Sequence, residues 1–125
     1  MPCQRVMVVD DDVFILEVMK ELFKPEGIEV VAVESGDACI EELKKGFRGV
    51  VLMDIMMPRK DGWETIKEMI DLDLMEGNVV AMLTAKDVPD GELEYIKEHV
   101  IDYITKPFEA DEIVAVVKGY LDYLV

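Results

Sequence analysis

The sequence predicts an α/β fold, an open parallel sheet with helices on both faces, and three observations carry that prediction. Five short apolar runs rich in Val and Ile are separated by longer segments whose apolar residues recur at helical spacing. The runs are continuous rather than alternating, as parallel strands buried on both faces are. Glycine, proline and helix-capping residues fall at the joints between the two kinds of segment. Strict strand-helix alternation is the pattern of a parallel sheet covered on both sides.

The first strand covers Arg5 to Val9 and runs into Asp10, Asp11 and Asp12. A helix follows with Ile15, Val18, Met19 and Leu22 on its apolar face and Glu17, Lys20, Glu21 and Lys24 opposite; Lys24-Pro25-Glu26-Gly27 ends it. The second strand, Ile28 to Val33, leads through Ser35 and Gly36 into a helix that carries Ala38, Cys39 and Leu43, and Gly46 follows it. The third strand, Val50 to Met53, ends on Asp54, and Asp61-Gly62 turns into a helix with Ile66, Met69 and Ile70. The fourth strand, Val79 to Leu83, ends on Thr84 and precedes a helix with Leu93 and Ile96. The fifth, Val100 to Ile104, leads to Lys106 and to a last helix, Asp111 to Leu124, with Ile113, Val116, Val117, Tyr120, Leu121 and Leu124 at helical spacing. Tyr120, Tyr123 and Val125 are open to three neighbours: the sheet, a dimer mate or a partner.

At 125 residues the chain is expected to be one domain, 1–125, large enough to bury a core without disulfides. Its 13 basic and 28 acidic residues give 13 − 28 = −15, with a pI near 4.3, which argues against direct contact with nucleic acid or an acidic membrane. A role in transcription would then run through another protein. Cys3 and Cys39 lack a CxxC spacing and read as reduced thiols rather than ligands or nucleophiles. No signal-peptide region and no stretch of transmembrane length is present, so a soluble, cytoplasmic protein is expected. His99 is the only histidine, which excludes a catalytic triad and a multi-histidine metal site. The nine methionines and the lone Trp63 read as core filling and a helix-start aromatic.

Ligands of open α/β sheets bind at the carboxyl ends of the strands. Here those ends carry Asp10, Asp11 and Asp12, then Asp54, Thr84 and Lys106. Crowded carboxylates repel one another, and a divalent cation offsets that cost. If Asp54 forms a phosphoryl bond, each residue type has a use: carboxylates for Mg²⁺, a hydroxyl for one phosphoryl oxygen, an ammonium for another. Taken singly, each also has an ordinary reading, as a helix cap or a surface lysine. Those readings do not explain why all of them gather at one edge of one sheet.

In these residues the chain closely resembles the receiver domain of two-component response regulators, the chemotaxis-type phosphoacceptor fold. The matching stretches are Val8-Val9-Asp10-Asp11-Asp12, Met53-Asp54-Ile55-Met56-Met57-Pro58-Arg59-Lys60-Asp61-Gly62, Leu83-Thr84-Ala85 and Asp102-Tyr103-Ile104-Thr105-Lys106-Pro107-Phe108. The resemblance spans essentially the whole chain. It implies a flavodoxin-like (βα)5 sheet of strand order 2-1-3-4-5. It also implies that Asp54 accepts the phosphoryl group, with Mg²⁺ (or Mn²⁺) held by Asp10, Asp11, Asp54 and the backbone carbonyl of Met56. Asp12 becomes the first helix's N-cap. Thr84 and Lys106, with the N–H groups of Met56 and Ala85, contact the phosphoryl oxygens. Thr84 and Tyr103 form the switch, and the Lys106–Pro107 bond is expected to be cis. Met56 and Lys86 border the path of an attacking water, and an apolar Met56 implies a long-lived phosphoryl-aspartate.

The resemblance further implies a sensor histidine kinase or phosphotransfer protein as donor. The output surface is then the fourth helix, fifth strand and fifth helix, including Glu94, Lys97, Tyr103 and Lys118, read by a downstream protein or a dimer mate. In this reading the chain is not an enzyme beyond catalysing its own phosphorylation and dephosphorylation. A phosphorelay intermediate, or a receiver cut from a larger regulator, fits the same residues. An aspartyl-nucleophile phosphatase of the haloacid-dehalogenase type needs an acid two residues after the nucleophile, where this chain has Met56. A flavin or nucleotide binder needs a phosphate loop after the first strand, where the acidic triplet would repel the phosphate.

Overall fold

The computed structural model of the chain describes residues 4–85 and 94–124. The strands β1 (Arg5–Val9), β2 (Glu29–Val33), β3 (Gly49–Asp54), β4 (Asn78–Thr84) and β5 (Val100–Thr105) pair in parallel in the order β2-β1-β3-β4-β5. Among the described residues the helices are α1 (Val13–Phe23), α2 (Gly36–Lys44), α3 (Gly62–Asp71), α4 (Glu94–Lys97) and α5 (Ala110–Leu124). Leu93, expected on the fourth helix, lies outside the described residues.

Successive side chains of a strand point to opposite faces, and here both faces are covered. Met7, Val9, Val51, Met53, Val80 and Met82 pack on one side with Cys39, Leu43, Ile66, Met69 and Ile96 of α2, α3 and α4. Val6, Val8, Val50, Leu52, Ala81 and Leu83 pack on the other with Leu16, Met19, Phe23, Ile113 and Val117 of α1 and α5. This two-sided burial is why the strands read as unbroken apolar runs. Truncating Phe23, which is fully buried, should cost about 3–5 kcal/mol.

Local chemistry sets the joints as expected. Asp12 caps α1 by accepting the Phe14 N–H, and Ser35 caps α2 through the Ala38 N–H. Asp61 and Glu64 cap α3 reciprocally. Lys24–Glu26 form a 3-10 turn closed by Gly27 at φ 73°, a conformation glycine adopts without cost.

Two details differ from the sequence reading. The α1 residues that meet the sheet are Leu16, Met19 and Phe23, while Ile15 and Leu22 are half-buried at the border of the same core. With Ile15, Leu16, Val18, Met19, Leu22 and Phe23 all apolar, periodicity alone does not say which of two adjacent stripes points inward. Strand ends are also displaced by a residue. β3, β4 and β5 extend to Asp54, Thr84 and Thr105, because the parallel ladder continues through their polar ends. Ile28 instead precedes β2, its N–H bonded to the Phe23 carbonyl.

The β4–β5 ladder holds an irregularity. Val80 pairs with Val100 and Ala81 with Asp102, so Ile101 is an extra, unpaired residue of a β-bulge. Of the aromatic residues left open on α5, Tyr120 is buried and Tyr123 is exposed; Val125 lies outside the described residues. Cys39 is buried, and burial, with the nearby charge of Glu68, pushes its thiol up to about 12, far from a reactive thiolate. Cys3 lies outside the described residues. His99 is exposed and Trp63 is buried. No helix among the described residues is long and apolar enough to cross a membrane.

Candidate functional site

Asp10 directly follows β1 and is fully buried. Its backbone N–H donates to the Val33 carbonyl, fixing the end of β1 against β2. Its carboxylate is engaged on both oxygens: Oδ1 accepts the Asp12 N–H at 2.9 Å and Oδ2 accepts the Lys106 ammonium at 2.8 Å. Asp11, next in the chain, is exposed.

Asp54 closes β3 and is 7 % exposed. Its Oδ1 accepts the Met56 N–H at 3.3 Å and lies 3.5 Å from Lys106 Nζ. Burial pushes the Asp54 carboxyl up, and the negative charge of Asp10 adds to the effect. The Lys106 ammonium and the Met56 N–H pull it partly back, leaving it at about 6. The turn beyond Asp54 is set by Gly62. A Cβ there would stand 2.6 Å from the Asp54 carbonyl oxygen, so only glycine lets α3 begin this close to the end of β3.

Thr84 is buried at the end of β4, and its carbonyl accepts the Lys106 backbone N–H at 2.7 Å. Lys106 is therefore tied to β4 by its backbone while its side chain crosses to Asp10 and Asp54. The Lys106–Pro107 peptide is cis, as the resemblance implies. Ala85 is exposed, as is the Met56 side chain at 70 %. Lys86 lies outside the described residues. Tyr103 stands apart from this cluster. It is half-buried on the α3 side of the sheet, its ring centroid 6.2 Å from that of Trp63 at 51°.

Carboxylate oxygens of Asp10, Asp11 and Asp54 lie within 4.8 Å of one another. An all-oxygen donor set of this kind suits Mg²⁺ or Mn²⁺ and not a thiolate- or imidazole-seeking metal. Sequence reasoning missed two contributions. In the sequence Gly62 marks only a turn, and its close approach depends on α3 packing against β3. The sequence assigns Asp102 no role, yet it accepts hydrogen bonds from the Tyr103 N–H at 2.9 Å and the Tyr120 hydroxyl at 2.6 Å. Its place directly before Tyr103 was the only signal for it.

Comparison with known proteins agrees with this geometry. The family model described as response regulator receiver domain matches residues 6–118. The transcriptional regulatory protein DltR of Streptococcus agalactiae serotype III (strain NEM316) is 34% identical over 111 residues, which are 89% of this chain and 49% of DltR. The chain thus spans about half the length of the curated relatives it matches. Among solved structures, the response regulator receiver domain protein (CheY-like) from Methanospirillum hungatei JF-1 superposes with a TM-score of 0.93 at 41% identity, covering 97% of this chain and 96% of that one. The receiver domain of the Francisella response regulator 1452 gives 0.83 at 28% identity, covering 98% and 99%.

Proposed function

The chain belongs to the response regulator receiver family and is a two-component signalling receiver, and on that premise we propose that Asp54 takes a phosphoryl group from the phosphohistidine of a sensor histidine kinase or phosphotransfer protein. The observation that carries this reading is the convergence of Asp10, Asp11 and Asp54 within 4.8 Å, with Lys106 Nζ 2.8 Å from Asp10 and 3.5 Å from Asp54.

In the reaction an Asp54 carboxylate oxygen attacks phosphorus. The O–P bond forms as the P–N bond breaks, and the electron pair returns to the imidazole of the donor, which takes a proton. Asp10, Asp11, Asp54 and the Met56 carbonyl are the residues that would hold Mg²⁺ or Mn²⁺, which supplies charge neutralisation for the phosphoryl oxygens. Thr84, Lys106 and the N–H groups of Met56 and Ala85 receive those oxygens as donors. Lys106 also lowers the mutual repulsion of Asp10 and Asp54 before transfer.

Residues 1–125 act in this reading as one cytoplasmic receiver domain that catalyses only its own phosphorylation and dephosphorylation. The switch is Thr84 with Tyr103, and it biases the surface of α4, β5 and α5. A net charge of −15 favours a protein target or dimer mate over direct contact with nucleic acid. In a transcriptional output, of the kind DltR's name states for that protein, this acidic domain works through another segment or partner. A phosphorelay intermediate uses the same chemistry. Met56 offers no general acid, which favours a receiver over a phosphatase.

The test is incubation with acetyl phosphate and Mg²⁺ followed by intact mass measurement. Wild type gains one phosphoryl group and Asp54→Asn gains none. Modification of Asp54→Asn at the wild-type rate would overturn the assignment.

A further inference from the structure

Resting on the receiver reading above, we propose that Asp102 is a positioning residue for the phosphoryl site: it holds the bulged end of β5 so that Lys106 meets Asp10 and Asp54, and the Tyr120 hydroxyl makes this hold depend on α5.

Among the described residues β5 is an edge strand, paired only with β4, and the extra residue Ile101 interrupts that pairing just before Asp102. A bulge weakens the ladder locally and increases twist. The segment beyond it, Asp102 to Thr105, runs directly into Lys106, so a slip there moves the ammonium away from both carboxylates. A one-residue slip would also exchange the faces of Tyr103 and Ile104, which now pack on opposite sides of the sheet.

Asp102 sits where such a slip has to be resisted. Its Oδ1 accepts the N–H of Tyr103 and its Oδ2 accepts the hydroxyl of Tyr120, so one carboxylate ties the strand backbone to the buried face of α5. Burial, together with the Asp102 carboxylate, raises the Tyr120 phenol above its ordinary value, so it remains a donor through the neutral range. At the other end of the segment, Lys106 is anchored by its N–H to Thr84 and by its ammonium to Asp10 and Asp54. Besides the ladder to β4 that resumes at Asp102, the bulged strand is thus held at two further points, one in the site and one on α5. A partner that grips α5 and displaces Tyr120 changes the placement of Lys106. By linkage, binding at the site then changes the affinity of α5 for that partner.

The experiment compares Tyr120→Phe in the wild-type and Lys106→Ala backgrounds, and follows the Lys106 side-chain methylene resonances of the unphosphorylated protein by NMR. Tyr120→Phe should displace the Lys106 resonances and slow phosphorylation by acetyl phosphate about fivefold, with no further slowing once Lys106 is absent. Asp102→Asn keeps one acceptor oxygen and should give the same direction with a smaller size. Tyr123→Phe, on the exposed face of α5, should move neither readout. Equal slowing in both backgrounds, or unmoved Lys106 resonances in Tyr120→Phe, would show that the pair only stabilises the fold and would overturn the proposal. Wild type that accepts no phosphoryl group overturns the receiver reading instead, and the Lys106 resonances distinguish the two failures because they need no phosphorylation.

Discussion

Lys106 holds Asp10 more closely than it holds Asp54, at 2.8 Å against 3.5 Å. Burial alone would lower the Lys106 pKa, but the hydrogen bond to Asp10 and the charge of Asp54 outweigh it and raise the value. The lysine is therefore a resident cation at the carboxylates a metal would use. Lys106→Met should bind Mg²⁺ several-fold more tightly while being phosphorylated more slowly, because in the proposed site the same substitution removes a competitor for the metal and a donor to the phosphoryl group. Calorimetric Mg²⁺ titration checks the first half, and weaker binding in the variant would contradict it.

The buried position of Asp54 has a measurable effect on stability. Its carboxyl is pushed up to about 6 in the folded chain, against 3.8 when free. Between those values the folded state holds a proton that the unfolded chain has lost, so this group's contribution to stability falls as pH rises from about 4 to about 6 and stays low above it. After discounting for solvent screening, the loss is about 1–2 kcal/mol. In EDTA, Asp54→Asn should therefore melt above wild type at pH 7, with the gap narrowing toward pH 4. A gap that is constant across that window would contradict the argument.

Met56 projects into solvent two residues beyond Asp54, its side chain 70 % exposed. It has no group that can orient an attacking water. Met56→Asn should shorten the lifetime of the phosphorylated protein by roughly tenfold, the scale of one positioning or acid-base contact. Loss of phosphate measured after donor removal is the check, and an unchanged rate counts against a role for this position.

Trp63 is the only tryptophan, its ring lies 6.2 Å from that of Tyr103, and its buried Nε1 has no hydrogen-bond partner among the described residues. If Tyr103 moves on phosphorylation, as the proposed switch requires, the surroundings of that indole change. Beryllofluoride with Mg²⁺ should change the intrinsic fluorescence of wild type and leave Tyr103→Ala nearly unaffected. The amide resonances of β5 and α4 should shift in wild type alone. Shifts confined to the neighbourhood of Asp10 and Asp54 would show that Tyr103 does not carry the signal.

Much of this was legible from composition and period. The apolar runs placed the strands to within a residue, and Ser35 and Asp61 marked two helix starts, because caps and buried strands are local or nearly local in cause; Asp12 as the cap of the first helix came with the resemblance. The order of strands did not follow from the residues themselves. It came with the resemblance, and the observed pairing agrees with it.

The sequence by itself determined the alternation of strands and helices, and therefore that Asp10, Asp54, Thr84 and Lys106 fall at the same edge of a sheet. Only the tertiary structure decided which of them touch. That the lysine reaches Asp10 before Asp54, that Gly62 permits α3 to start against the Asp54 carbonyl, and that Asp102 bridges Tyr103 and Tyr120 all depend on contacts between residues distant in the chain. The same holds for the bulge at Ile101, which is a relation between β4 and β5. Such contacts are set by how packed elements meet in space, and a one-residue shift in register, invisible in composition or period, is enough to redirect every side chain beyond it.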